Sequence, residues 1–104
     1  MDNNETFEMY RHLLETGLLK TAEDILDQEV DLDTPLRDEF DELDIMQLIM
    51  AVEELYGIEI NENTADSIET LRDFMDIFRS RLTSADMSRF VAENGDWLID
   101  DEEE

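Results

Sequence analysis

The feature that most constrains the fold of this chain is the segment 42–56, whose apolar side chains recur at the spacing of an α-helix. They form one broad stripe made of Ile45, Leu48, Ile49, Val52 and Leu55. Asp41 is suited to cap the start of this helix, and Gly57 can adopt the left-handed conformation that ends many helices. The segment therefore predicts an amphipathic helix that packs against other elements.

Further segments carry helical patterns. Residues 5–16 predict a helix that we expect to end at Gly17, and residues 21–26 predict a separate short helix. Residues 70–82 predict another main helix, and a single helical turn is expected near 64–67. The apolar side chains of the segment 5–16 are Phe7, Tyr10 and Leu14. Those of the segment 70–82 are Leu71, Phe74, Met75 and Phe78. The fold class is therefore predicted to be all-α.

The remaining segments predict a connection and a C-terminal addition. Residues 29–41 contain Pro35, which favours turn structure, so we expect a loop there. Residues 85–94 predict a short helix capped by Thr83 or Ser84, and Gly95 is expected to stop it. An apolar patch at 97–99 precedes five consecutive acidic residues, 100–104, which predict a disordered acidic tail.

Charge excludes several classes of function. The chain of 104 residues has 31 acidic against 7 basic residues, a net charge of -24, which repels nucleic acid and anionic lipid surfaces. Without cysteine and with one histidine, His12, we expect no metal site and no catalytic constellation. No segment predicts a membrane span or a signal peptide, so the expected location is the cytoplasm. The expected partners are basic protein surfaces.

The central segment carries a recognisable series of motifs. It begins with Asp41-Glu-Leu-Asp44, continues as the predicted acidic helix, and ends with Ile58-Glu-Ile60. This series resembles the acyl carrier protein family, in which Asp-Ser-Leu-Asp opens an acidic helix and an Ile-Glu-Ile-Pro-like stretch follows. The resemblance covers roughly residues 5–82 and includes Asp33-Thr-Pro-Leu36 before the motif and 63–74 after it.

The resemblance implies both a fold and a function. It implies a four-helix bundle with three main helices and one short helix, here with an extra C-terminal helix. It also implies a non-enzymatic module of fatty-acid or polyketide-type acyl metabolism. In such carriers a serine at the start of the second helix holds a phosphopantetheine arm, and the acidic second helix docks onto basic patches of acyl-transfer or synthase-type enzymes.

The chain departs from the family at the attachment position, where Glu42 stands in place of the serine. A carboxylate cannot supply the hydroxyl that forms the phosphodiester, and the neighbouring acids repel a phosphate. Ser67 has a similar local sequence, but it lies in the region of the third helix. We therefore expect no phosphopantetheine and no other cofactor. Three interpretations of Glu42 stay open: a mimic of the charged arm, a helix-start acid favoured by the helix dipole, or an engineered substitution.

The exposed side of the 42–56 helix is the predicted docking surface. Its residues are Asp41, Asp44, Met46, Gln47, Met50, Glu53 and Glu54. The carboxylates suit a basic partner, and methionine side chains adapt to varied partner surfaces. The alternative is that these residues are only the solvated face of an amphipathic helix.

The sequence divides into a bundle, 1–82, a helical extension packed on it, 83–99, and the tail, 100–104. Trp97 is interpreted either as an anchor for the extension or as a contact for a partner. Two other functions stay open for the whole chain, which is expected to be a monomer. One is an acidic decoy or regulatory protein that blocks a basic surface, and the other is a structural subunit of an enzyme complex.

Overall fold

The computed structural model describes residues 2–99, and within them the chain forms six helices and no strand. The helices are α1 (Asn3–Leu26), α2 (Leu36–Glu39), α3 (Glu42–Tyr56), α4 (Glu62–Asp66), α5 (Leu71–Arg81) and α6 (Ser84–Ile99). The long helix α1 packs against α3, α5 and α6. The predicted all-α bundle is confirmed. The expected acidic tail, 100–104, lies outside the described residues.

Helix α3 has the bounds that its sequence predicts. The carboxylate of Asp41 accepts a hydrogen bond of 2.9 Å from the backbone N–H of Asp44 and so caps the helix. At the other end Gly57 takes a φ of 72°, a conformation that a residue with a Cβ rarely adopts. Local chemistry alone fixes both ends, which is why they could be read from the sequence.

The expectation that Gly17 ends a helix is wrong. Helix α1 runs without a break through Gly17 and through the segment 21–26 that was expected to be a separate helix. Gly17 is buried, and an added Cβ would come within 2.8 Å of both the Phe90 Cζ and the Tyr56 hydroxyl. The glycine therefore allows other elements to approach α1 closely, and the helix ends instead at Leu26, where Asp27 adopts a left-handed conformation.

The expected stop at Gly95 is also wrong. Helix α6 continues from Ser84 to Ile99, so the apolar patch at 97–99 forms its last turn. Its start is closed by the predicted cap Thr83, whose hydroxyl accepts from the Asp86 N–H while the Asp86 carboxylate accepts from the Thr83 N–H. The bond from Thr83 lowers the pKa of the Asp86 carboxyl. Nothing in the packing opposes continuation, because the space beside Gly95 is open.

Two smaller differences concern short elements. The connection 29–41, expected to be a loop, contains the one-turn helix α2, in which Leu36 is fully buried. The turn expected near 64–67 begins earlier, as α4, because the Asn61 side chain accepts from the Thr64 N–H and caps it.

The four longer helices meet at Tyr56, the last residue of α3. Its ring lies between Phe78 of α5 and Phe90 of α6, with ring centroids 4.2 and 4.4 Å away. Its hydroxyl donates a buried hydrogen bond of 2.8 Å to the Leu14 carbonyl of α1. Tyr56 was not among the core residues predicted from the sequence, yet it contacts α1, α5 and α6 at once.

Helix α6 is attached to α1 at both of its ends. At its start the Ser84 N–H donates to the Asn3 side chain, and the Ser84 and Thr6 hydroxyls share a hydrogen bond of 2.8 Å. At its end the Lys20 ammonium donates to the Trp97 carbonyl at 2.7 Å. Helix α6 also buries its apolar side chains Met87, Phe90 and Leu98.

The two helical glycines provide a matched pair of substitutions. Gly17→Ala should destabilise the fold by about 1–3 kcal/mol, because the new methyl group overlaps Phe90 and Tyr56. Gly95→Ala should stabilise it by up to about 1 kcal/mol, because alanine favours helix and meets no neighbour. Urea denaturation of both variants measures the difference, and stabilisation by Gly17→Ala would contradict the close packing described for that position.

Tyr56 should make stability fall in alkaline solution. Burial raises the pKa of the Tyr56 hydroxyl above its ordinary value of 10.0, so above that pH only the unfolded state ionises readily. The free energy of unfolding should therefore decrease as pH rises above about 10. Tyr56→Phe should lose roughly 1 kcal/mol at pH 7 with its hydrogen bond, but its stability should fall less between pH 9 and 11. Urea denaturation across this range tests the prediction, and equal alkaline losses would contradict it.

Candidate functional site

The start of α3 projects from the bundle as an acidic corner. The Asp41 carboxylate is engaged in capping the helix, and Glu42, the next residue, is exposed in the first turn. Leu43 follows with 61% of its surface exposed. A carboxylate in the first turn is stabilised by the partial positive charge of the helix N-terminus, which accounts for Glu42 without any ligand.

A small cleft lies beside Glu42, between α3 and α4, with a volume of about 260 Å³. Its apolar wall consists of the α3 side chains Ile45, Met46, Ile49 and Met50. Its polar lining consists of Arg37, Glu42, Glu62 and Asp66. The cleft is thus an apolar trough with three carboxylates around it.

The one cation that lines this cleft, among the described residues, has a structural role. The Arg37 guanidinium donates to the Ile68 carbonyl at 2.9 Å and to the Ala65 carbonyl at 2.8 Å. These carbonyls lie at the C-terminal end of α4 and just beyond it, so Arg37 holds the short helix beside α3.

The residues at this corner do not fit a phosphopantetheine arm. Neither the first turn of α3 nor the lining of the cleft contains a serine or threonine, and the carboxylates of Asp41, Glu42 and Asp44 would oppose a phosphate. Ser67, the alternative considered from the sequence, donates its hydroxyl hydrogen to the Thr64 carbonyl at the end of α4. It is exposed there, but it is not at the start of α3.

The connection that leads to this corner is fastened to α5. The Arg72 guanidinium donates to both carboxylate oxygens of Asp33, at 2.8 and 2.9 Å, and the Arg72 N–H donates to the Leu32 carbonyl. The hydrogen bond from Arg72 lowers the pKa of the Asp33 carboxyl. The Leu36 N–H also donates to the Glu69 carbonyl, so this loop has a defined path to Asp41.

Part of the predicted docking surface forms one exposed stripe on α3. Met46 and Met50 are 53% and 60% exposed, and Gln47 and Glu54 are exposed beside them. Leu43 belongs to the same stripe, although the sequence interpretation omitted it. We call the surface of Leu43, Met46, Gln47, Met50 and Glu54 the α3 face. Leu43 could have been found from its position on the helical wheel, away from the buried stripe.

The other three predicted docking residues are partly used within the fold. Glu53 is half-buried, and its carboxylate accepts the Ile60 N–H at 2.7 Å, which fixes the loop after α3. Asp41 caps the helix, and Asp44 is half-buried in its first turn. All three lie around the α3 face, and the carboxylates of Asp41 and Glu53 also stabilise the local structure.

Two further features of the described part of the chain bear on function. Within residues 2–99 no group of histidine, aspartate and glutamate side chains is arranged to hold a metal ion. None of the helices in this range is long and apolar enough to cross a membrane.

Comparison with known proteins identifies the family. The family model described as "Phosphopantetheine attachment site" matches residues 16–78. The acyl carrier protein of Coprothermobacter proteolyticus is 29% identical over 82 residues, which cover 79% of this chain and 96% of that protein. No solved structure gives a significant match.

Two other relatives match shorter segments. The acyl carrier protein of Thermosynechococcus vestitus is 36% identical over 44 residues, which cover 42% of this chain and 54% of that protein. That of Syntrophobacter fumaroxidans is 44% identical over 36 residues, which cover 35% of this chain and 44% of that protein.

These matches define a family of phosphopantetheine-type carrier proteins. Because the family model matches more than half of the chain, the chain belongs to the acyl carrier protein family. Members of this family are non-enzymatic carriers that interact with acyl-transfer and synthase enzymes. The resemblance seen in the sequence is confirmed at this level, while the loss of the attachment site through Glu42 stays a prediction.

Proposed function

We propose that this protein is a carrier-family module that docks enzymes of fatty-acid or polyketide-type acyl metabolism without carrying phosphopantetheine. The observation that supports this most is the exposed α3 face, where three large apolar side chains stand among acids on a helix that begins with Glu42. The fold of a carrier is present, but the hydroxyl that would make it a carrier is replaced.

The chemistry of the α3 face favours a basic partner. Leu43, Met46 and Met50 supply apolar area that water would leave on binding, and flexible methionines adapt to the partner's surface. Glu54 and the neighbouring carboxylates, within a chain of net charge -24, attract a positive surface and repel a negative one. The same charge opposes self-association, so we propose that the protein acts as a monomer, in the cytoplasm.

The carboxylate of Glu42 can contact a partner protein, but it cannot attach phosphopantetheine. It lies exposed beside the cleft, where it adds negative charge at the position that the family gives to the phosphate-bearing serine. The helix dipole stabilises the charge in this first turn whether or not a partner binds. Glu42 therefore maintains the acidic character of the docking corner without forming a covalent bond to a cofactor.

The first prediction concerns modification. Incubated with coenzyme A and a promiscuous phosphopantetheinyl transferase, the protein should keep its mass, because Glu42 offers no hydroxyl. The variant Glu42→Ser, which restores the hydroxyl in the same surroundings, is tested beside the unaltered protein. An ordinary acyl carrier protein is the positive control. Intact-mass spectrometry reads the result, and a gain of one arm by the unaltered protein would refute the proposal.

The second prediction concerns docking. Glu54→Lys should weaken capture of basic acyl-transfer or synthase-type enzymes from the source cell by about tenfold, because it reverses a charge within the docking surface. Asp76→Lys makes the same charge change on α5, at an exposed position outside the α3 face, and should have little effect.

Quantitative mass spectrometry of the captured proteins compares the two variants with the unaltered chain. Equal losses for both variants would contradict specific docking through α3. Capture of nucleic-acid-binding proteins, released by competition with a polyanion, would instead identify an acidic decoy.

A further inference from the structure

A second groove lies where the added helix α6 meets the carrier bundle. It has a volume of about 610 Å³ and shares no lining residue with the cleft beside Glu42. Its lining includes Lys20, Glu23, Asp24 and Ile25 of α1, Ala51 of α3 and Trp97 of α6. Helix α6 lies beyond the residues that match the family, so the Trp97 wall of the groove is an addition to the part of the chain that matches.

Trp97 forms one wall of this groove and is held in place by the fold. The Lys20 ammonium donates to its carbonyl at 2.7 Å and lies 5.5 Å from the centre of its ring. Trp97 is nevertheless 37% exposed, and Ile99, in the same helical turn, is 55% exposed. Positioned tryptophan side chains with exposed area are frequent anchors in protein interfaces.

The charge around the groove is negative. Glu23 and Asp24 make no ion pair in the described part of the chain, and Lys20, the one cation of the lining there, contacts Trp97. Beyond Ile99 the sequence continues with five acidic residues, Asp100-Asp-Glu-Glu-Glu104. A second copy of the chain would bring a charge of -24 to this surface, so self-association is opposed.

We propose that this groove is a second docking site, which binds a basic amphipathic helix of a partner protein. Aliphatic side chains of that helix pack against Trp97, Ile25 and Ala51. Its lysine or arginine side chains face Glu23 and Asp24. The groove and the α3 face have no residue in common, although Ala51 of the groove adjoins Met50 of that face.

The full chain can be tested directly, because Trp97 is its single tryptophan and its fluorescence reports on this groove. The probe is a synthetic helical peptide of leucine and lysine, with the matching leucine–glutamate peptide as control. The basic peptide should shift the Trp97 emission to shorter wavelength and protect it from acrylamide in a saturable manner. The acidic peptide should do neither.

Variants separate this groove from general attraction to an acidic protein. By calorimetry, Trp97→Ala should weaken binding of the basic peptide by about tenfold, the effect of losing one interface anchor. The pair Glu23→Gln and Asp24→Asn should weaken binding several-fold. The pair Glu69→Gln and Asp76→Asn removes the same amount of charge outside the groove and should weaken binding of the peptide less. Circular dichroism checks that each variant is folded. If Trp97→Ala does not fold, the comparison of the two charge-neutralised pairs still tests the proposal.

Three results would overturn the proposal. Saturating peptide that leaves the Trp97 emission unchanged would place the bound helix elsewhere. Equal weakening by the two charge-neutralised pairs would reduce the binding to unspecific attraction. Self-association of the chain at raised salt, abolished by Trp97→Ala, would assign the groove to a second copy instead.

Discussion

The arrangement of this protein depends on the buried junction around Tyr56. The tyrosine ring is stacked between Phe78 and Phe90, and its hydroxyl is satisfied by the Leu14 carbonyl in the interior of α1. A buried hydroxyl without a partner would be costly, so the position of α1 is set together with that of α3. Gly17 leaves the space in which this junction forms, because any larger side chain would overlap both Tyr56 and Phe90.

That junction divides the roles of the two ends of α3. The C-terminal end is locked among α1, α5 and α6, while the N-terminal end, with Asp41, Glu42 and Leu43, stays on the surface. A rigid base of this kind holds the α3 face in one orientation without covering it. Helix α6, which lies beyond the family match, contacts α1 and the Tyr56 end of α3, and its Trp97 forms one wall of the second groove.

The candidate site was predictable where its residues act locally. The capping role of Asp41, the stop at Gly57 and the amphipathic stripe of α3 follow from side-chain chemistry and helical spacing, so the sequence located the acidic corner and Glu42 within it. The same reasoning could not show that Glu53 binds the Ile60 N–H or that Arg37 holds the end of α4, since these contacts join separate elements. It also omitted Leu43, although the helical wheel places this exposed residue away from the predicted apolar stripe of α3.

By itself the sequence determined the helical class, the bounds of α3, the acidic charge and the membership of a carrier family. Only the tertiary structure decided what its glycines do. A glycine in a helical pattern can end the helix or admit a neighbour, and local preferences do not distinguish the two. At Gly57 the chain leaves the helix with a positive φ, whereas at Gly17 packing of Phe90 and Tyr56 against α1 keeps the helix continuous.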